Sequence, residues 1–290
     1  MGFDTAIIPL SNTVKIARDL EKYNKKVVYL KIERFPDDEL DLRLPMEQLE
    51  GVNKAVVIYS GQPNPDMANT EAFHVAWALE DEGFGPETMN LFALYMDYGR
   101  HDKKFKDGQP VAGRKLLEDL SRHYGKIHAV DYHSSEPWVE KLGIIRETLV
   151  PYIMAAMGKK YHIDQYLVFD KGARDRLEKD CGVTIDGLIK DRLDSWKVKS
   201  KVPKDLAKFL KNRNIGIIED IISTGGTACT GIENLRKARV KKIYVGASHG
   251  AFMRGLTRVA EASDDLFLGD TIDRGKYSNV TCLPLILKKY

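Results

Sequence analysis

Residues 215–227 read Ile-Gly-Ile-Ile-Glu-Asp-Ile-Ile-Ser-Thr-Gly-Gly-Thr, and no other stretch says as much about the fold of this chain. An apolar run ends at the adjacent acids Glu219 and Asp220, and a helical pattern follows Thr227. This order predicts a buried strand, a tight loop and a helix. Glycines let backbone N–H groups turn inward, and the N-terminus of a helix adds positive potential. The loop is therefore predicted to bind a phosphate.

Hydroxyl and carboxylate groups surround the glycines of this loop. The residues predicted to hold the phosphate are Ser223, Thr224, Gly225, Gly226 and Thr227. Glu219 and Asp220 lie where they could accept hydrogen bonds from the hydroxyls of a sugar attached to that phosphate. A phosphorylated sugar satisfies both halves of the pattern, whereas a plain nucleotide does so less well. The alternative is an ordinary strand–turn–helix with a solvated acidic turn, but two acids and a Ser/Thr-flanked Gly-Gly at fixed spacing favour the phosphate site.

The composition indicates a globular protein with a sizeable core. Of the 290 residues, 43% are hydrophobic and 30% are charged, and 45 Lys and Arg against 42 Asp and Glu leave a net charge of +3. That charge is too small to indicate a nucleic-acid partner. Cys181, Cys229 and Cys282 are odd in number and lack metal-type spacing, so no disulfide framework is expected. Since neither a signal peptide nor a membrane span is evident, we expect a soluble cytoplasmic protein.

Short apolar runs alternate with amphipathic ones along the chain. Runs typical of strands are Ala6–Leu10, Val27–Ile32, Ala55–Tyr59, Met89–Tyr95, Ile127–Val130, Tyr166–Asp170, Gly216–Glu219 and Ile243–Ala247. Runs typical of helices are Thr13–Tyr23, Asp66–Glu80, Val111–His123, Leu142–Met157, Arg174–Lys179 and Thr227–Ala238. This alternation predicts an α/β protein with parallel sheets and right-handed crossovers. Because the alternation of strands and helices begins again near residue 150, we expect two domains, residues 1–148 and 149–290.

The acidic run and its loop resemble the ribose-phosphate signature shared by type I phosphoribosyltransferases and ribose-phosphate pyrophosphokinases. The usual pattern is two acids, two apolar residues, Asp or Ser, and then Thr-Gly-Gly-Thr, with Glu219 standing here where Asp is commoner. The resemblance implies two tandem type I phosphoribosyltransferase-like domains, each a mainly parallel sheet flanked by helices. It implies that the first domain takes ATP and magnesium, and that the second takes ribose 5-phosphate and carries the catalytic loop.

Two segments of the first domain resemble the pyrophosphokinases alone. Residues 33–40, Glu-Arg-Phe-Pro-Asp-Asp-Glu-Leu, are similar to a family segment that reaches the adenine of ATP across a subunit interface, with Asp38 replacing glycine. Residues 95–104 are similar to a run whose arginine meets ATP, with His101 replacing glutamine. Alone, these would be a polar hairpin turn and a solvated charged loop. The resemblance implies ATP-binding roles for Phe35, Asp37, Asp38, Glu39, Arg100 and His101. It also implies a homodimer or a hexamer of dimers.

Metal ligands and a catalytic loop are also implied by the resemblance. Residues 129–134 are similar to Val-Asp-Leu-His-Ser/Ala, whose histidine contacts the Mg²⁺ of Mg-ATP, and Asp170 matches the second magnesium contact, although Phe169 replaces the proline before it. Mg²⁺ is thus the implied cofactor, with His133 and Asp170 as its ligands. Residues 187–193 resemble the Lys-x-Arg loop, which implies that Lys190 and Arg192 stabilise charge on the transferred group.

The resemblance runs in order from Arg34 to Thr227, and residues 248–252 and 270–272 extend it. It implies that ATP and ribose 5-phosphate give 5-phosphoribosyl 1-diphosphate and AMP. Two alternatives stay open. A phosphoribosyltransferase that consumes the diphosphate would share the loop but have no use for Phe35 or Lys190. A non-catalytic regulatory homologue would keep the fold and lose the chemistry, and the departures at Asp38, His101, Phe169 and Glu219 keep that alternative open.

Overall fold

Two parallel sheets organise the residues that the computed structural model describes, which are 3–169, 171–181, 186–187, 190–194, 197–200 and 204–290. For residues 171–173, 177, 180, 186–187, 190–194, 197–200 and 204 only the backbone is described. The chain divides into two units, Met1–Glu147 with Leu283–Tyr290, and Thr148–Cys282. Among the described residues, no helix has the length and apolar character needed to cross a bilayer.

The first unit contains a six-stranded parallel sheet and a separate hairpin. Its strands are β1 (Thr5–Pro9), β2 (Lys26–Val27), β3 (Lys31–Arg34), β4 (Leu40–Arg43), β5 (Lys54–Ser60), β6 (Met89–Tyr95), β7 (Lys126–Val130) and β8 (Ile145–Glu147). Its helices within residues 1–147 are α1 (Val14–Glu21), α2 (Pro65–Asp81), α3 (Ala112–Leu120) and α4 (Pro137–Lys141). The sheet order is β2-β1-β5-β6-β7-β8, and β3 pairs with β4 in the antiparallel hairpin.

The second unit repeats this plan. Its strands are β9 (Gln165–Val168), β10 (Asp186–Gly187), β11 (Lys190–Asp194), β12 (Lys197–Ser200), β13 (Asn214–Ile222), β14 (Lys242–Gly250), β15 (Asp265–Gly269) and β16 (Ser278–Val280). Its helices are α5 (Val150–Lys160), α6 (Lys171–Cys181), α7 (Lys204–Leu210), α8 (Gly226–Lys237) and α9 (Met253–Ala262). The parallel sheet has the order β10-β9-β13-β14-β15-β16, and β11 pairs with β12 in an antiparallel hairpin.

Each sheet has strands that are buried on both faces, which is why they read as continuous apolar runs. In β5, residues 55–60 are all buried, and in β13 residues 215–220 are all buried. Helix α2 begins where Asn64 caps its first turn, accepting from the N–H of Met67 at 3.3 Å, and Pro65 follows at the first helical position. The apolar faces of α2 and α8 then cover their respective sheets.

Three features differ from the sequence-based expectation. The run Val27–Ile32 is not one strand, because β2 stays in the sheet while β3 leaves it to pair with β4. The run Leu142–Met157 is not one helix, because Gly143 turns with a φ of +67° and β8 then pairs with β7. Helix α10 (Leu283–Leu287) returns the end of the chain to the first unit, although the sequence assigned those residues to the second domain.

Candidate active site

The loop after β13 lies directly on helix α9. Gly225 has a φ of +74°, and a Cβ added there would lie 2.8 Å from the carbonyl oxygen of Gly255. A Cβ added at Gly255 would lie only 1.8 Å from the carbonyl oxygen of Ser223. Arg258 of the same helix donates from Nη1 to the carbonyl of Thr224 at 3.1 Å. The backbones of loop and helix can meet only because both facing residues are glycines, and the loop is therefore preformed.

The hydroxyl groups of this loop stay accessible while its glycine core is buried. Thr224 is exposed, Ser223 and Thr227 are half-buried, and Gly225 is buried. Helix α8 begins at Gly226, so its first N–H groups and its positive dipole end are at the loop. A preformed loop with accessible hydroxyls at a helix N-terminus has the chemistry of an anion site.

The two acids before the loop are buried and hold named partners. Glu219 is 8% exposed, and its Oε1 accepts from the backbone N–H of Phe169 at 3.1 Å. Asp220 is 4% exposed, and its Oδ2 accepts from Nη2 of Arg176 at 2.8 Å. Its Oδ1 accepts from the N–H of Ile221, also at 2.8 Å. A solvated acidic turn, the alternative raised by the sequence, does not describe these residues.

A basic cleft of about 590 Å³ opens in the first unit where β6 ends. Its cationic and aromatic lining includes Arg100, His101, Lys103, Phe105 and Lys106. The turn that presents them has Tyr98 at a φ of +52°, and the carbonyl of Tyr98 accepts from the N–H of His101 at 2.8 Å. Arg100 and His101 are exposed together in this cleft. Concentrated positive charge beside apolar walls suits a polyphosphate attached to a planar base.

Asp97 lies at the wall of the same cleft, only 3% exposed. The hydroxyl of Tyr59 donates to its Oδ1, and Nδ2 of Asn69 donates to its Oδ2 at 3.0 Å. The pKa of Asp97 is raised to about 6, mainly by burial and in small part by the negative charge of Asp66, against the opposing effect of these two hydrogen bonds. Sequence analysis did not single out Asp97, because an acid next to an apolar strand gives no signal of its partners.

Replacing Asp97 by asparagine should change how stability depends on pH. Because the pKa of Asp97 is higher in the folded protein than in the unfolded chain, wild-type stability should fall as pH rises from 4 to 6, by up to about 3 kcal/mol. Asp97→Asn removes this dependence. The difference in melting temperature between variant and wild type should therefore shift in the variant's favour by several degrees between pH 4 and pH 7.

Calorimetry of both proteins at several pH values measures that difference. Asp107→Asn, which removes an exposed carboxylate from the loop that follows, is the matched control. A difference between Asp97→Asn and wild type that stays constant from pH 4 to pH 7 would show that Asp97 is not penalised by burial.

The hairpin of β3 and β4 carries the other residues predicted to bind ATP. The N–H of Phe35 donates to the carbonyl of Glu39, and the N–H of Asp38 to that of Phe35, both at 2.9 Å. Asp38 has a φ of +69°. In this chain, therefore, the residue that stands in place of the glycine adopts a left-handed backbone, which aspartate tolerates better than most residues. The ring of Phe35 is 49% exposed. Asp38 and Glu39 line a second cleft of about 530 Å³, so in one chain they do not share the cleft of Arg100.

The remaining predicted residues are described only in part. His133 is half-buried and follows β7 by three residues. Asp170 lies outside the described residues. The backbones of Lys190 and Arg192 belong to β11, opposite Ser200 and Val198 of β12, so the segment is extended. Across the described parts of the chain, no group of three His, Cys, Asp or Glu residues could hold a metal by itself.

Besides Asp97, three residues that support the phosphate loop and its acids could not be found from the sequence. Arg176 pairs with Asp220, Gly255 allows close contact with the loop, and Arg258 bonds to Thr224. The sequence carries no motif at these positions. Each becomes visible only through a contact with a distant part of the chain.

Comparisons with known proteins cover both units. The chain is 31% identical over 275 residues to a ribose-phosphate pyrophosphokinase of Thermococcus kodakarensis, spanning 93% of this chain and 95% of that protein. It is 30% identical over 272 residues to the protein of the same name from Pyrococcus furiosus, spanning 92% and 94%. No protein-family model matches the chain.

A solved structure has the same fold. The crystal structure of phosphoribosylpyrophosphate synthetase from Mycobacterium smegmatis superposes with a TM-score of 0.79, covering 99% of this chain and 97% of that one at 17% identity. Identity at that level shows the fold alone. The likeness over the full length confirms the predicted α/β architecture of two tandem domains.

Proposed function

The chain belongs to the ribose-phosphate pyrophosphokinase family, and from that premise we propose that it converts ATP and ribose 5-phosphate to 5-phospho-α-D-ribose 1-diphosphate and AMP. The observation that carries the proposal is identity of about 30% to named pyrophosphokinases along nearly the entire chain, both units included. The preformed loop at residues 223–227 is the local feature that supports it.

We assign the binding of ribose 5-phosphate to the second unit. Ser223 and Thr227, with the backbone N–H groups at the start of α8, would hold the 5-phosphate. The buried acids at positions 219 and 220 stand at the end of the strand that leads into this loop, where sugar hydroxyls would lie. Because α9 supports the loop from behind, phosphate binding would require little rearrangement.

We assign the binding of ATP to the first unit. Arg100, Lys103 and Lys106 give the cleft after β6 a positive field that would attract a triphosphate. Phe35 offers an exposed ring that could stack on a purine, and Asp37 and Glu39 could accept from its exocyclic amine.

Mg²⁺ fits the donor set of this proposal. A nucleotide-bound Mg²⁺ keeps most of its ligands as water and phosphate oxygen, so it needs one or two protein groups rather than a cluster of three. His133 would supply one contact, directly or through water, and Asp170 is the second candidate. When bound, the ion supplies neutralisation of the phosphate charges.

The protein's own contribution to the chemistry would be alignment and charge stabilisation. The anomeric hydroxyl of the bound sugar attacks the β-phosphorus of ATP, and AMP leaves. Lys190 and Arg192 are assigned to the negative charge that builds on the transferred diphosphate.

An assay for AMP release from ATP tests this function against its alternatives. AMP formation that requires ribose 5-phosphate supports the proposal. A phosphoribosyltransferase would instead release diphosphate from 5-phosphoribosyl 1-diphosphate in the presence of a nucleobase. A regulatory homologue would bind the substrates without either reaction.

The proposal includes a homodimer or a hexamer of dimers. In one chain, Asp38 and Glu39 line a different cleft from that of Arg100, and the family resemblance implies that the segment of Phe35 instead completes the ATP site of a second copy. The oligomeric state is thus an assignment from the family.

Mixed oligomers test whether two chains share one ATP site. Phe35→Ala and Arg100→Ala should each lower activity at least about tenfold, because each removes a direct nucleotide contact. When the two variants are co-expressed with different tags and the mixed dimers are purified, these should regain about half of wild-type activity, since one of the two sites in each mixed dimer is intact. If purified mixed oligomers are no more active than the single variants, both residues act within one chain.

A further inference from the structure

Three polar side chains from different parts of the first unit meet at the wall of the basic cleft. Tyr59 comes from β5, Asn69 from α2, and Asp97 follows β6. The hydroxyl oxygen of Tyr59 lies within hydrogen-bond distance of Oδ1 of Asp97 and 2.8 Å from Oδ1 of Asn69. Nδ2 of Asn69 lies 3.0 Å from Oδ2 of Asp97. The three side chains therefore form a closed ring of polar contacts.

Each of the three contacts in this ring needs a proton. Tyr59 has a single hydroxyl proton, and the amide of Asn69 directs one N–H toward Asp97. An ionised Asp97 can only accept, so it leaves one contact without a proton. A protonated Asp97 completes the ring, since it donates to Tyr59, Tyr59 donates to Asn69, and Asn69 donates to Asp97. Turning the Asn69 amide round does not alter this count, because its oxygen would then face Oδ2 of Asp97.

The surroundings of Asp97 also favour its neutral form. Gly61 packs against it, since a Cβ added at Gly61 would lie 2.5 Å from the Cβ of Asp97. The pKa of Asp97 is raised to about 6, mainly by burial, against the effect of its hydrogen bonds. The titratable and charged groups around Asp97 and its cleft are Tyr59 of β5, Asp66 of α2, Tyr98 beside it, Tyr132 after β7, and Arg100, His101, Lys103 and Lys106.

The ring stands at the start of the turn formed by residues 98–101. Tyr98, which follows Asp97 directly, has a φ of +52°, and its hydroxyl donates to Oδ1 of Asp66 at 3.1 Å. Asp66 and Asn69 both belong to α2, so residues 97 and 98 are hydrogen-bonded to the same helix. The conformation of the turn therefore depends on the bonds that its first residues make with α2.

We propose that Tyr59, Asn69 and Asp97 form a ring that holds a proton and positions the turn of residues 98–101 for ATP. All three are positioning residues, since they act on the nucleotide through the turn. Loss of the proton would break one contact of the ring and put a negative charge at the wall of a cleft that receives a triphosphate. ATP is therefore bound more weakly as pH rises through the pKa of Asp97. The inference rests on the proposed function, because it assumes that this cleft binds ATP.

Asp97→Asn tests the effect of the proton. The amide keeps an N–H to donate to Tyr59 and an oxygen to accept from Asn69, so it reproduces the protonated acid at every pH. Calorimetric titration with ATP and MgCl₂ gives the Kd of both full-length proteins. The Kd of wild type divided by that of the variant should be near one at pH 5 and should reach at least about fivefold at pH 8.

Other groups that change charge are controlled in this comparison. Histidine side chains and nucleotide phosphates titrate near neutral pH, and the cleft contains His101. Both effects occur in wild type and variant alike, so the ratio of the two Kd values isolates Asp97. Asp107→Asn, which removes an exposed carboxylate from the loop that follows, controls for charge alone. The ratio of Kd values between wild type and Asp107→Asn should not change from pH 5 to pH 8.

Tyr59→Phe tests the ring itself. Without the hydroxyl the ring cannot close whether Asp97 is protonated or not, so the Kd for ATP should rise at least about fivefold at pH 5 as well as at pH 8. Tyr124→Phe is the matched control, because Tyr124 is also buried and its hydroxyl donates to the carbonyl of Ala72 on α2 at 2.6 Å, outside the ring. Tyr124→Phe should lower the melting temperature and leave the Kd within about twofold of wild type.

Infrared spectroscopy tests the proton without reference to ATP. At pH 5, wild type should show the carbonyl band of a protonated carboxylic acid that Asp97→Asn lacks, and this difference between the two spectra should disappear by pH 8. Identical spectra in this region at pH 5 would show that the ring holds no proton.

The outcomes distinguish this inference from the function it rests on. If wild type binds no ATP at any pH, the proposed function and the positioning role fall together, while the infrared band still shows whether the ring holds a proton. If wild type binds ATP and the ratio of its Kd to that of Asp97→Asn stays constant from pH 5 to pH 8, the proton does not control ATP binding. If Tyr59→Phe binds ATP as tightly as Tyr124→Phe does, the ring does not position the turn.

Discussion

Alanine at position 190 is expected to lower kcat for AMP formation by about 10²- to 10³-fold, because it removes a charge that meets the transferring diphosphate. Lys190 is assigned to charge that develops during transfer, so its loss should affect the transition state more than the bound substrates. The Kd for ribose 5-phosphate should therefore stay within about twofold of wild type. Initial rates at saturating substrates and calorimetric titration of ribose 5-phosphate measure the two quantities.

A second lysine of the same hairpin provides the control for this result. Lys199 belongs to β12, where it pairs with Asp191 of β11. Lys199→Ala removes the same charge from the same small sheet and should leave kcat within about threefold of wild type. Equal losses in Lys190→Ala and Lys199→Ala would mean that general charge, and not Lys190 itself, supports turnover. An unchanged kcat in Lys190→Ala would remove this residue from the mechanism.

Gly255→Ala should have the second large effect, although residue 255 is assigned no contact with substrate. The new Cβ would meet the carbonyl oxygen of Ser223 at 1.8 Å, so either the loop or α9 must move. Both partners are backbone and cannot turn aside as a side chain could. The loop would lose its preformed geometry, and the Kd for ribose 5-phosphate should rise at least about tenfold.

Gly158→Ala is the control for a glycine in a helix of the same unit. The nearest atom to a Cβ at that position is the hydroxyl of Tyr166, at 3.8 Å, so there is room for a methyl group. The substitution should raise the melting temperature slightly, because alanine favours a helix by about 1 kcal/mol over glycine, and it should not change affinity. If Gly255→Ala binds ribose 5-phosphate as wild type does, the loop does not depend on contact with α9.

The alternation of strands and helices could be predicted because the central strands are buried on both faces. Such strands give apolar runs that depend on no distant partner, as in Ala55–Tyr59, which the structure places within Lys54–Ser60. Strand β8 could not be predicted in this way. Its residues Ile145–Glu147 fit a helical pattern equally well, and only pairing with β7 decides their conformation.

The phosphate loop could be predicted because it is local in sequence. Strand, acids, glycines and helix follow one another within residues 215–227, and the structure keeps that order. Asp38, which stands where the similar segment has glycine, has a φ of +69°, a backbone conformation that glycine adopts readily. The roles of the individual site residues stay predictions.

The contacts that hold the site residues in place could not be predicted, because they join residues that are far apart in the sequence. The pair of Arg176 with Asp220 joins residues 44 positions apart. Burial raises the pKa of Asp97, and the opposing hydrogen bonds come from Tyr59 and Asn69, which belong to other elements. A single sequence gives no sign of which side chains meet across such distances. These contacts therefore required the structure.

Phosphorus NMR of the purified protein with ATP, ribose 5-phosphate and MgCl₂ tests the central claim most directly. We expect the signals of AMP and of a sugar 1-diphosphate to grow in equal amounts while those of ATP decline, with no ADP formed. The formation of ADP, the loss of ATP without a sugar diphosphate, or the absence of any reaction would contradict the proposed diphosphate transfer.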